Sequence, residues 1–356
     1  MFSPFLLEEK YNEVEGSYKY NLSSACTSSL SLFHLVDSEL DLNALLKHRF
    51  DYPERYGQLV TREKISQQIY QSMPSDNIIL TSGASEAIYL TMTSLFQKGD
   101  KVIVQKPIYQ SLFQILEDMG CEIIDWYGFE LNKLKELYNQ DIKAVVINNP
   151  NNPTGLGFQE DILKEISNII GDSMLIADEV FRSLTDIPAV TEIHKNAISI
   201  NDLSKSFSLP GLRLGWLAVN DQSLLEKFSS QKNYLSLRNS SLSELLASFA
   251  LDQSSRIIAR NKNISQKNKD HFFERLESLP FKALYKKEDI VGLTTVIELK
   301  DKDLIEKAFK HDLFLCDGKL IDPSLDCHTR LGFGINTEVF KDGLKMVELT
   351  ANADND

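Results

Sequence analysis

Between residues 78 and 219, short apolar runs rich in β-branched side chains alternate with longer stretches whose apolar residues recur at helical spacing. The runs are "NIILTSG", "DKVIVQK", "CEIIDW", "KAVVINN", "SMLIADEV", "AISIND" and "LRLGWLAV", and each reads as a strand. Stretches between them, such as "SEAIYLTMTSLFQ" and "YQSLFQILEDMG", read as amphipathic helices that end near glycine. Alternation of this kind predicts an α/β fold, a mostly parallel sheet covered by helices. Ligands of such sheets gather at the carboxyl ends of the strands, in the loops that lead into helices.

After about residue 240 the pattern changes to long polar helices, as in "SSRIIARNKNISQKNKDHFFERLESL", followed by the short strands "GLTTVIEL" and "RLGFGI". A chain of 356 residues exceeds what one core usually holds, so a second, smaller α+β domain is expected to begin between 245 and 285. The expected division is an N-terminal segment 1–45, a large domain 46–250 and a small domain 251–356. A formal charge of −13 repels phosphates, so neither nucleic acid nor an anionic membrane is an expected partner. No apolar run is long enough to span a bilayer, and "MFSPFLLEEKYNEVEGS" lacks the basic start and long apolar core of a signal peptide, so the expected location is the cytoplasm. Cys26, Cys121, Cys316 and Cys327 are widely spaced and form no C-x-x-C pair, which predicts buried free thiols and no metal site.

Four strand-end loops carry candidate chemistry. In "TSGASEA" a strand runs through Gly83 into a helix, where the amides of Gly83, Ala84 and Ser85 suit an anion such as phosphate; helix capping alone also explains these residues. "NNPNNPTG" places two Asn-Pro steps before Thr-Gly, more particular than a turn requires, and an X-Pro bond permits a cis peptide that can aim an asparagine amide at a ligand. "LIADEVF" ends an apolar strand on Asp178 and Glu179, which must be solvated or paired; a cationic ring nitrogen, an arginine or a lysine would each serve. "NDLSKSFSLPGLRLGW" sets Lys205 among small hydroxyl residues, where a desolvated amine has a lowered pKa and forms a Schiff base, and follows it with Arg213, a fork suited to phosphate. Together the loops ask for one ligand with an aldehyde, a phosphate and a protonatable ring.

The ordered set "TSGASEA", "KPIY", "NNPNNPTG", "ADEVF", "SKSFSLPGLRLGW" and "RLGFG" resembles the class I/II aminotransferases, pyridoxal 5'-phosphate enzymes of fold type I. That resemblance implies a three-layer αβα large domain with a mostly parallel seven-stranded sheet, plus a smaller α+β domain. It implies that Lys205 carries the cofactor as a Schiff base and moves the Cα proton. Asp178 would pair with the ring nitrogen, Asn152 would donate to the ring hydroxyl, and Tyr109 would stack on the ring. Phosphate would lie on the amides of Gly83, Ala84 and Ser85 and against Arg213. Tyr52, five residues before Gly57 in "DYPERYG", matches a tyrosine that reaches the neighbouring subunit's phosphate, implying a homodimer with shared active sites. Arg330 matches the arginine that grips the substrate α-carboxylate, so a free amino acid is the implied substrate.

Two positions depart from the family pattern. Phe181 stands where a tyrosine commonly donates to the ring oxygen, and Asp202 stands where a serine or threonine bonds the phosphate. A carboxylate about 4 Å from a phosphate charge costs on the order of 4 kcal/mol per charge pair at an effective dielectric near 20, so Asp202 must point away, take a proton or face a cation. A cationic substrate side chain would supply that cation. Both departures resemble a branch that handles arginine, the pyridoxal-phosphate arginine hydroxylases and oxidases with capreomycidine synthase as a relative, some of which use dioxygen. In that branch's pattern "YNLSSACTSSLSLFHL" borders the active site, which puts Ser24 or His34 near substrate, and Glu9, Glu13 and Glu15 could bind a guanidinium. An ordinary aminotransferase uses the same cofactor residues, and a silent, regulatory member of the fold would keep the architecture without the chemistry.

Overall fold

The computed structural model describes residues 2–14 and 16–352. After a two-residue strand β1 (Tyr20–Asn21), all seven apolar runs form strands: β2 (Ile78–Thr81), β3 (Lys101–Lys106), β4 (Glu122–Tyr127), β5 (Ile142–Asn148), β6 (Met174–Asp178), β7 (Ala197–Asp202) and β8 (Gly215–Val219). They join one sheet in the order β2-β8-β7-β6-β5-β3-β4. Neighbours from β7 to β4 are parallel, and β8 alone runs antiparallel to both of its neighbours. Successive side chains of a strand face opposite sides, and β3 shows it: Val102 and Val104 enter a core with the helices Gly83–Leu95 and Ser111–Asp118, while Ile103 enters the opposite core with Leu163 and Ile166 of the helix Glu160–Ile170. All three strand residues are fully buried, each worth ~1.5–3 kcal/mol of apolar transfer. Helices therefore cover both faces, which is the three-layer α/β arrangement expected.

The reversal at β8 is what gathers the site. β8 returns along β7 so that Gly215 lies beside both Asp202 and Thr81. The loop after β2, the loop after β7 and the segment entering β8 thus meet at one edge. Asp178 of β6 pairs across to Asn148 of β5 and Ile200 of β7, which adds two more strand ends to the same rim.

The later strands form a separate antiparallel sheet. β9 (Phe281–Ala283), β10 (Thr294–Leu299), β12 (Cys316–Asp317) and β13 (His328–Gly332) lie in the order β12-β13-β10-β9, reached through the helix Ser254–Arg275. β11 (Leu313–Phe314) instead pairs in parallel with β1, tying the N-terminal segment to this part of the chain. Gly332 explains how close that segment comes: a Cβ there would fall 1.7 Å from the Ser24 carbonyl oxygen, and Gly332 N donates to Leu22 O at 2.7 Å. Ser24 and Cys26 are thereby laid against the strand that carries Arg330.

Candidate active site

A cavity of about 510 Å³ opens at the gathered strand ends. Its floor is built from Ala84, Ser85, Asn152, Asp178, Phe181 and Lys205, and the N-terminal helix Leu6–Val14 covers it with Leu7, Glu8, Tyr11 and Asn12. The loops behind it contain cis peptides at Lys106–Pro107, Asn149–Pro150 and Asn152–Pro153.

One end of the cavity is an anion cradle. Gly83 opens the helix Gly83–Leu95 with φ +77°, and a Cβ on it would lie 2.3 Å from Arg213 Nη2. Only glycine lets the guanidinium come this close to the helix start. Arg213 itself holds the left-handed conformation at φ 49°, donates from Nη1 to Pro210 O at 2.9 Å and Ser204 Oγ at 3.5 Å, and forms no ion pair among the described residues. Free helix-start amides facing an unneutralised guanidinium fit a phosphate. Asp202 occupies part of this cradle: Oδ1 accepts from Ser204 N at 2.8 Å, and Oδ2 accepts from Ser204 Oγ at 2.7 Å and Ala84 N at 3.4 Å. It does not point away: it lines the cavity at the anion end, on the same Ser204 hydroxyl that Arg213 reaches. Its side chain closes a turn onto Ser204, and that holds it at the anion end.

Beside the cradle the two carboxylates ending β6 part company. Glu179 is fully buried, pairs with Arg182 at 3.2 Å, and accepts from Val190 N at 2.9 Å and from Ser199 Oγ, which makes it structural. Asp178 faces the cavity; its Oδ1 accepts from Val180 N at 3.2 Å, and no lysine or arginine pairs with it among the described residues. Burial pushes its carboxyl up to about 7, with Asp202 adding to the rise and the Val180 amide and Lys205 opposing it. A buried carboxylate lacking a cation fits a protonated ring nitrogen. Phe181 lines the same wall and has no hydroxyl to donate. The Tyr109 ring lines the cavity while its hydroxyl donates to Glu8 Oε1 at 2.7 Å.

Lys205 donates from Nζ to Cys26 Sγ at 3.0 Å. Burial pulls its pKa down, as the sequence reading expects, but the Cys26 sulfur and the Asp202 carboxylate outweigh it, and the net shift is upward. Across the cavity Arg330 is buried at 3% exposure, fixed by Nε to Ser23 O at 2.9 Å and Nη2 to the Tyr11 hydroxyl at 2.8 Å. Its Nη1 donates to Asn152 Oδ1 at 3.0 Å, which turns the Asn152 amide nitrogen free to donate elsewhere. No carboxylate neutralises Arg330 among the described residues, so this end fits a substrate carboxylate.

Ser24 also lines the cavity. Tyr52, His34 and Glu13 do not. Tyr52 is 81% exposed at the surface of this chain. His34 sits in an exposed turn where its ring meets Ser31 Oγ at 2.8 Å, and Glu13 lies on the outer face of its helix, paired with Lys10 at 3.0 Å. For His34 and Glu13 the expected nearness to substrate is therefore corrected, and Glu15 lies outside the described residues. Glu8, Tyr11 and Cys26 take up that space unannounced. The readable signal was Leu7, Tyr11 and Val14 at helical spacing, which marks Glu8 and Tyr11 as inner-face neighbours. Nor are the thiols uniformly buried: only Cys316 is, and Cys26, Cys121 and Cys327 are half-buried.

The sequence profile described as aminotransferase class I and II matches residues 21–321. Capreomycidine synthase of Streptomyces vinaceus is 30% identical over 214 residues, 56% of this chain and 55% of that protein. The chain's matches span about half the length of the first curated relatives. Among solved structures, a PLP-dependent aminotransferase from Streptococcus suis superposes with a TM-score of 0.91 at 28% identity, covering 99% of this chain and 98% of that one. The PLP-dependent cyclase OrfR superposes with a TM-score of 0.88 at 25% identity over 99% and 98%. Over most of its length, and with a cavity whose cradle, buried aspartate and lysine suit pyridoxal 5'-phosphate, the chain belongs to the class I and II aminotransferase family of pyridoxal-phosphate enzymes.

Proposed function

We propose that this protein takes a free α-amino acid with a guanidino side chain, L-arginine or a close relative, removes its Cα proton and oxidises it with dioxygen. The observation that carries the reading is one cavity in which Lys205, the cation-free Asp178 and the carboxylate-free Arg330 line the wall together with Glu8, a carboxylate without an ion pair among the described residues. Arg330 would bind the α-carboxylate through two parallel donors, leaving Cα toward Lys205. Lys205 Nζ, once substrate has released it, would take the Cα proton, with the Cys26 sulfur in reach to steady the free amine. Asp178 would keep a proton on the ring nitrogen, and Asn152 Nδ2 would donate to the ring oxygen, to which Phe181 has no hydroxyl to donate. When bound, pyridoxal phosphate supplies the electron sink that stabilises the charge left at Cα. Glu8 is the group suited to a guanidinium: its carboxylate faces the cavity, holds only the Tyr109 hydroxyl, and is free of ion pairs among the described residues. The helix that carries Glu8, which lines the cavity with Leu7 and Tyr11 as well, would help to keep water from the reacting atoms.

Two electrons and two protons leaving the amino acid would reduce dioxygen to hydrogen peroxide. Oxygen consumption with L-arginine and no 2-oxo acid is the expected result in an oxygen-electrode assay. Absence of uptake, with rapid amino transfer to a 2-oxo acid, would instead establish the second reading, an ordinary aminotransferase, which the likeness to the Streptococcus suis enzyme favours.

A homodimer fits the same reading. Tyr52 and Phe50 are each 81% exposed, in a segment tied to the later helices by His48 Nε2 and Ser241 Oγ at 3.0 Å and by Arg55 and Glu226 at 2.7 Å. Tyr234, at the end of one of those helices, is 91% exposed. Apolar side chains this exposed suit burial against a second copy, where Tyr52 would reach the partner's phosphate. Light scattering on the purified protein is expected to give twice the chain mass; the mass of one chain would rule the shared site out. The division into 1–45, 46–250 and 251–356 belongs to this reading too, with the seven-stranded sheet in the middle part and the four-stranded sheet in the last.

A further inference from the structure

Resting on the reading of this cavity as a pyridoxal-phosphate site, we propose that Asp202 is a built-in competitor for the phosphate, so that the enzyme holds its cofactor loosely and exchanges it with the free pool. Two donors that a phosphate at this cradle would use, the Ala84 amide and the Ser204 hydroxyl, are already spent on Asp202 Oδ2 at 3.4 and 2.7 Å. The carboxylate is 5% exposed and anchored a second time through Oδ1 to Ser204 N at 2.8 Å, so it does not swing clear at no cost. Arg213 reaches the same Ser204 hydroxyl at 3.5 Å, which places the carboxylate and the guanidinium on one hydroxyl between them.

An arriving phosphate meets this arrangement in one of two ways. It displaces the carboxylate and forfeits its three hydrogen bonds, or it binds beside a like charge with the Ala84 amide shared. Either way part of the attraction of Arg213 and the helix start is cancelled before the cofactor arrives. In return two of the cradle's donors, the Ala84 amide and the Ser204 hydroxyl, have partners within the chain. The arrangement suits an enzyme whose occupancy follows the free cofactor concentration.

The test is titration of the cofactor-free enzyme with pyridoxal 5'-phosphate, followed by its absorbance change, for the wild type, Asp202→Asn and Asp202→Ser, with pyridoxal lacking the phosphate as a second probe. Both variants are expected to bind pyridoxal phosphate about tenfold or more tightly than the wild type and to release it more slowly, with pyridoxal affinity unchanged. Equal or weaker binding by the two variants would overturn the proposal, as would an equal gain for pyridoxal, since the effect would then not act through the phosphate. A wild type that binds neither probe would overturn the cofactor reading itself, an outcome distinct from the other two.

Discussion

Lys205→Ala is expected to lower turnover by at least about 10³-fold at saturating amino acid, the scale of a positioned proton-transfer group, and to abolish covalent attachment of the cofactor. Lys205 is the lysine that lines the cavity; it lies in the connection between β7 and β8, and among the described residues its Nζ hydrogen-bonds only the Cys26 sulfur. Loss of the amine removes the proton carrier while leaving Asp178, Arg213 and Arg330 in place. Partial recovery of the rate by added methylamine, scored by stopped-flow absorbance, is the expected signature of a missing amine and not of a collapsed site. A variant retaining a tenth of wild-type turnover would contradict the assigned role.

Arg330→Gln is expected to reduce kcat/KM by about 30- to 1,000-fold, corresponding to ~2–4 kcal/mol for truncating one partner of a buried charge pair. The loss should fall mainly on KM, because the guanidinium is set to hold the carboxylate before and during reaction alike. The position is well defended: β13 pairs Arg330 with Val296 and Cys316 on either side, and Ser23 O and the Tyr11 hydroxyl hold the guanidinium from the N-terminal segment. Cofactor affinity, measured by titration, should fall far less than kcat/KM, because Arg330 reaches the cofactor site only through its hydrogen bond to Asn152 Oδ1. Equal kinetics with L-arginine and with its decarboxylated analogue in the wild type would show that no carboxylate is bound there.

What the sequence made legible was what local pattern determines. The seven apolar runs became seven strands, because the central strands are buried on both faces and must be apolar on both, whereas β4 at the edge is largely exposed, and loops at the strand ends became the cavity floor. Lys205, Asp178 and Arg213 were found because each breaks an apolar or small-residue context in a way that burial makes expensive. The N-terminal segment was less legible. Its placement depends on β1 pairing with β11, Tyr20 beside Leu313, and periodicity carries no information about contacts so distant in sequence. Glutamates along one helix look alike until packing chooses a face: Glu8 turned inward and Glu13 outward. Asp202 was legible as an anomaly but not in its direction, since a hydrogen-bonded turn onto Ser204 decides that. Cys26 gave no signal, because a lone cysteine in a small-residue run looks the same whether it fills space or faces an amine.

Pyridoxal 5'-phosphate is expected to be held in this cavity covalently on Lys205. Borohydride reduction of the cofactor-loaded protein, followed by proteolysis and mass mapping, tests it directly. The expected result is a reduced pyridoxyl group on the peptide that carries Lys205 and on no other lysine, lost in Lys205→Ala. A label spread over surface lysines, or an unlabelled Lys205 peptide from protein that still contains the cofactor, would contradict it.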